Sequence, residues 1–179
     1  MKSISLALCV SLALFMHGAT SDAIAASKRD KKAETPAPAA GFQFFCIHND
    51  CSASGPATIP LTEKLMADLK KVNGDVNRSI RYVPEKVEKW SLGVKAGDCD
   101  DFVMAKRDQL IRMGYPSAAL RFATGRVPFG PKHAVLVVAT DKGFKTLDNR
   151  HGRIVPLSRS GLTKIKMSSA DPKVWFYYP

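Results

Sequence analysis

Apolar and polar positions alternate along this chain with three distinct periods, and each period predicts a different kind of element. Ile4 to Met16 is almost wholly apolar and follows a positive start at Met1-Lys2. Leu61, Leu65, Leu69, Val72, Val76 and Ile80 recur every three or four residues, the spacing of an amphipathic helix interrupted or bent near Gly74. Phe102, Val103, Leu110 and Met113 repeat the helical spacing between Asp98 and Met113, where Gly114-Tyr115-Pro116 stops it. Beyond Pro116 the period shortens. Ala119 to Thr124, Ala134 to Thr140, Phe144 to Leu147 and Ile154 to Leu157 are short runs split by turn residues. Asp141-Lys142-Gly143 is a hairpin signal, and Val174 to Tyr178 reads as a strand closing the sheet. Phe42 to Cys51 reads as an anchored aromatic segment, and Arg81 to Lys95 as a loop. Helices first and an antiparallel sheet second predict an α+β domain.

The first run is a sorting signal, not a membrane anchor. It is shorter than the roughly 20 apolar residues a spanning helix needs, and small residues follow at Ala23 to Ala26. Residues 1–26 are therefore expected to be a signal peptide cleaved near Ala25 or Ala26. No membrane span is expected in the mature chain, and its place is the periplasm or the exterior. Residues 27–40 are charged and then Pro/Ala-rich, with nothing to bury, and read as a flexible leader. Residues 41–179 then form one domain.

The formal net charge is +11, from 27 basic and 16 acidic residues. The basic residues are scattered, without the interleaved aromatics of single-stranded nucleic-acid binders, so nucleic acid is not an expected partner. They read as a solvated surface attracted to anionic envelope components.

Three cysteines remain after the signal: Cys46, Cys51 and Cys99. In an oxidising compartment the close pair Cys46 and Cys51 can bridge, which leaves Cys99 single. Gly97-Asp98 supplies a flexible residue and an N-cap, so Cys99 falls in the first turn of a helix. Orphan amides and the helix dipole there favour thiolate over thiol. His133 opens the run Ala134 to Val138, and Asp148 ends the next strand fifteen residues later. A carboxylate beside the ring fixes the imidazole tautomer while the other nitrogen faces sulfur. Register poses a difficulty. A turn centred on Lys142-Gly143 sets Asp148 opposite Val137, too far from His133 at about 3.3 Å per residue. The pair needs a turn nearer Thr140-Asp141, or a bulge.

Asp98, Asp100 and Asp101 surround the thiol with negative charge, which opposes ionisation. A hard cation would remove that penalty, and calcium prefers such oxygen ligands. The competing role is capping, with Asp98 at the N-cap and Asp101 three residues on. For the oxyanion, the Cys99 amide and the Trp90 indole N–H are candidate donors.

Several of these pieces carry a resemblance. Val76-Asn77-Arg78-Ser79-Ile80-Arg81-Tyr82, Trp90, Gly97 to Phe102, Lys106-Arg107, Gly114-Tyr115-Pro116, His133 to Leu136 and Leu147-Asp148-Asn149 occur in this order. Together they resemble the bacterial transglutaminase-like cysteine proteinase family, which includes the LapG-type periplasmic adhesin proteases. The resemblance implies a papain-like core and a triad of Cys99, His133 and Asp148. It also implies calcium dependence through acidic residues beside the cysteine, although Asp100 stands where those enzymes usually carry Glu. A large surface adhesin as substrate and an inner-membrane receptor responding to a cyclic dinucleotide are family-level expectations.

The function expected is therefore that of an exported cysteine endopeptidase. The alternatives are amide transfer by the same triad, as in a transglutaminase, and a non-catalytic calcium-responsive or envelope-binding module.

Overall fold

The computed structural model describes residues 35–179; the expected signal peptide, and the leader up to residue 34, lie outside the described residues. The order of elements is α1 (Ala40–His48), α2 (Glu63–Ser79), β1 (Arg81–Tyr82), β2 (Ala96–Gly97), α3 (Cys99–Arg112), β3 (Leu120–Arg126), β4 (Lys132–Thr140), β5 (Gly143–Leu147), β6 (Val155–Pro156), β7 (Thr163–Ser168) and β8 (Trp175–Tyr177). Six strands form one antiparallel sheet in the order β6-β5-β4-β3-β7-β8, and β1 and β2 make a small parallel pair. Among the described residues no helix is long and apolar enough to cross a membrane.

The β4 run is continuously apolar because both of its faces are covered. Ala134, Leu136 and Val138 pack into one core with Leu65, Leu69 and Val72 of α2 and Phe102, Val103 and Leu110 of α3. Val135 and Val137 face a second core with Leu157, Ile165 and Met167. Gly74 neither breaks nor ends α2. Leu65, Leu69, Val72 and Val76 are buried along the helix, and that contact outweighs the roughly 1 kcal/mol a helical glycine costs. Thr62 caps α2, its hydroxyl accepting from the Leu65 amide at 3.0 Å.

Two segments differ from the sequence reading. Ala40–His48 is a helix, not only an anchored segment, and Phe42 plants it in an aromatic cluster. Its ring lies 4.5 Å from Phe122 and 5.3 Å from Trp90 between centroids. Cys46, inside this helix, is disulfide-bonded to Cys51 beyond its end. Strand β7 was not expected, although Lys164-Ile165-Lys166-Met167 within it does alternate outward and inward.

The β1–β2 pair joins Arg81 to Ala96 and Tyr82 to Gly97, so the loop between them is clamped directly in front of Cys99.

Candidate active site

Cys99 is the first residue of α3, and the helix start is tightly fixed. Asp98 and Asp101 form a reciprocal capping box. Asp101 also accepts from the Ser91 amide at 2.9 Å, tying the upstream loop to the helix. Gly97 is required here. A Cβ at that position would overlap the Asp101 carboxylate.

The Ala134 amide donates to the Cys99 sulfur at 3.4 Å, so the thiol sits against the residue that follows His133. The His133 ring is buried, and its Nε2 lies 2.9 Å from Asp148 Oδ1. That leaves Nδ1 as the ring nitrogen without a carboxylate. Asp148 is fully buried and heavily supported. The Arg150 amide donates to Oδ1 at 2.9 Å, and Arg150 Nη2 and Nε donate to Oδ2 at 2.7 and 3.0 Å. Asn77 Nδ2 donates to the Asp148 carbonyl at 3.0 Å. Burial works against ionising Asp148, but the bonds from His133 and Arg150 outweigh it and hold the carboxyl below the usual carboxylate range.

Cys99 and His133 line one cleft of about 630 Å³, together with Trp90, Asp98 and Asp100. Residues 37–40, part of the expected leader, form one lip of it. Trp90 is buried against Phe42 and Phe122, and its indole N–H donates to Glu88 at 3.4 Å. The Cys99 amide, in the first helical position, has no acceptor within the helix.

The thiol is not activated by the helix end alone. Burial, and then the charges of Asp98 and Asp100, push Cys99 up to about 12 against the opposing Ala134 amide. Asp100 is itself pushed up to about 9, by burial first and then by Asp98. Among the described residues neither Asp100 oxygen has a hydrogen-bond donor, although the residue is buried. Ligand atoms of Asp98, Cys99 and Asp100 all lie within 4.8 Å of one another. Two carboxylates in that position suit a hard cation, whereas the thiol does not. Asp101, the third acidic residue considered for the cation, spends its oxygens on backbone amides. Burial pushes Asp101 up to about 6, with those amides opposing it.

Residues 31–178 match the family described as bacterial transglutaminase-like cysteine proteinase BTLCP. The chain belongs to this family. No curated protein matches it. Among solved structures, this bacterial transglutaminase-like cysteine proteinase is similar to calcium-bound LapG of Legionella pneumophila, with 26% identity and a TM-score of 0.50. That match covers 55% of this chain and 62% of the solved chain, so it spans about three-fifths of the relative. A second LapG structure from the same organism is 23% identical with a TM-score of 0.47, covering 63% of each chain. An EGTA-treated LapG is 24% identical with a TM-score of 0.45, covering 62% of this chain and 60% of that one.

Two basic residues near Asp148 were given no role by the sequence reading. Arg150, two residues after Asp148, had a local signal in its spacing. Lys106 entered only as part of the Lys106-Arg107 pair that carries the resemblance. It is fully buried on α3, and among the described residues its ammonium has no hydrogen-bond partner. Burial pulls it down to about 7, and Asp148 opposes that shift.

Proposed function

We propose that this chain hydrolyses peptide bonds of an exported or envelope protein through a thioester on Cys99. The observation that carries this reading is the 2.9 Å contact of His133 Nε2 with Asp148, which leaves Nδ1 for the sulfur held beside Ala134. His133 takes the thiol proton as sulfur bonds to the scissile carbonyl carbon, and the Cys99 amide faces the developing oxyanion. The C–N bond then breaks, and His133 returns the proton to the leaving amine. Water attacks the thioester, giving its proton to His133, and the acid product departs as the thiol is restored. Asp148 steadies the imidazolium throughout.

Asp98 and Asp100 are the residues that would hold calcium, the ion named for the LapG relative. Bound there, the ion offsets the two carboxylate charges that oppose ionisation of Cys99. The apolar run Ile4 to Met16 supports export, and family likeness supports an adhesin substrate and a regulatory receptor in the inner membrane.

The test incubates wild type and Cys99→Ala with an envelope-protein mixture, with and without a calcium chelator. Wild type cuts discrete proteins and the variant cuts none. Equal cutting by both ends the proposal. Cutting that survives chelation removes calcium and leaves the triad. Incorporation of a labelled amine without cleavage assigns amide transfer instead.

A further inference from the structure

The wall of the cleft built by the sheet is cationic. Arg126 ends β3, Lys132 begins β4, and Lys164 and Lys166 lie on β7; all four line the cleft that holds Cys99 and His133. Among the described residues none of the four side chains has an ion-pair or hydrogen-bond partner, and Lys166 only overlies the Tyr177 ring at 5.5 Å. Elsewhere on this surface some basic side chains find carboxylates, as Lys64 does with Asp68 and Lys71 with Asp75. Acidic side chains of the cleft, Glu88, Asp98 and Asp100, come from the loop and helix that precede and follow residue 97.

Backbone geometry is irregular where Lys164 meets the cleft. Thr124 pairs with Lys166 and Arg126 with Thr163, so two residues of β7, Lys164 and Ile165, oppose the single residue Gly125. Such a bulge re-aims side chains, and Lys164 adopts a positive φ of 51° within it. Gly125 permits the close approach, since a Cβ there would stand 3.1 Å from both Leu162 Cβ and the Thr163 carbonyl oxygen. The strain falls on the residue that carries one of the four charges.

We infer that the cleft selects substrate segments carrying Asp or Glu beside the scissile bond, through Arg126, Lys132, Lys164 and Lys166. This rests on the proteolytic reading of the same cleft. Four unpaired cations within reach of one bound peptide attract carboxylates more strongly than a dispersed surface charge would, and they steer encounter as well. An extended peptide spans about 3.3 Å per residue, so a few substrate positions reach all four.

Two measurements on the full mature chain test this. In the first, wild type digests a peptide library of randomised sequence and the products are sequenced. Asp and Glu are enriched at one or more positions within about four residues of the cut. Lys132→Glu with Lys166→Glu lowers that enrichment by about five-fold or more, because reversing a charge replaces attraction with repulsion. A profile without acidic enrichment, or one unchanged in the double variant, overturns the inference. In the second, Cys99→Ala is titrated with acidic, neutral and basic versions of one labelled peptide at low and high salt. The acidic version binds at least about five-fold tighter, and the advantage shrinks with salt. Equal binding of the three overturns the inference even if no peptide is cut. Cleavage of no peptide by wild type overturns the proteolytic reading instead. Circular dichroism of the double variant separates lost selectivity from lost fold, and Lys132→Ala with Lys166→Ala repeats the test if the reversal unfolds the chain. Tight binding of anionic lipid vesicles through the same lysines, with no preference for the acidic peptide, assigns the wall to membranes and overturns the inference.

Discussion

His133 and Asp148 meet diagonally across the β4–β5 hairpin. The ladder pairs Thr140 with Gly143 and Leu136 with Leu147, so its continuation sets Asp148 opposite Val135, two residues from His133. A diagonal gap of about 7–8 Å is spanned by an imidazole and a carboxylate. The turn at Asp141-Lys142 therefore removes the register difficulty without a bulge between β4 and β5. Contact follows at 2.9 Å.

Asp148→Asn should lower kcat by about 10²–10⁴-fold, since the amide no longer steadies an imidazolium. It should also destabilise the fold by roughly 3 kcal/mol at neutral pH by leaving the Arg150 charge without its partner. The folded state lowers the Asp148 pKa, so its contribution is complete above about pH 4 and fades as pH falls below that. Urea titrations of both proteins check this: their stability gap should close toward pH 2. A gap that widens on acidification contradicts the assignment.

Gly97→Ala should disturb the start of α3 while sparing the rest of the fold. The added methyl displaces the Asp101 carboxylate and breaks the capping box, at a cost of about 1–3 kcal/mol. Cys99 moves with the helix start, and peptidase activity should fall about 100-fold. Thermal melts and rates on one peptide are the measurements. Unchanged rates would show that the capping box does not position the thiol.

Lys106→Met should stabilise the protein at pH 7 by about 1–3 kcal/mol, because it replaces a buried ammonium that has no hydrogen-bond partner among the described residues. The folded state lowers this lysine to about 7, whereas the unfolded chain keeps it near the ordinary 10.5. The unfolded state thus binds the extra proton between those values, and wild-type stability should rise with pH across that window. The benefit of the substitution should be largest at pH 7 and below, and should vanish near pH 10.5. Denaturant midpoints at several pH values decide it.

Phe42→Ala should cost about 3–5 kcal/mol, because its ring fills the space between Phe122, Trp90 and Trp175. Trp90 lines the cleft, so its fluorescence should report the change along with calorimetry. A loss below 1 kcal/mol would mean that α1 is not held by this ring.

The periods of apolar residues determined, without coordinates, that two amphipathic helices precede short strands. Capping chemistry likewise set Cys99 at a helix start, since Gly-Asp before an acidic third position is a local signal. Local patterns could not fix the partnerships that depend on distant chain segments. Helix α1 is held by contacts with Trp90 and Phe122, and β7 pairs with β3 across a bulge. The convergence of four cations on one cleft wall arises from strands that lie apart in sequence. The hairpin register decided whether His133 and Asp148 touch, because one position of slip turns a side chain to the other face. Burial decided the rest: Asp98, which caps the helix, is also, beside a desolvated thiol, a charge that opposes its ionisation.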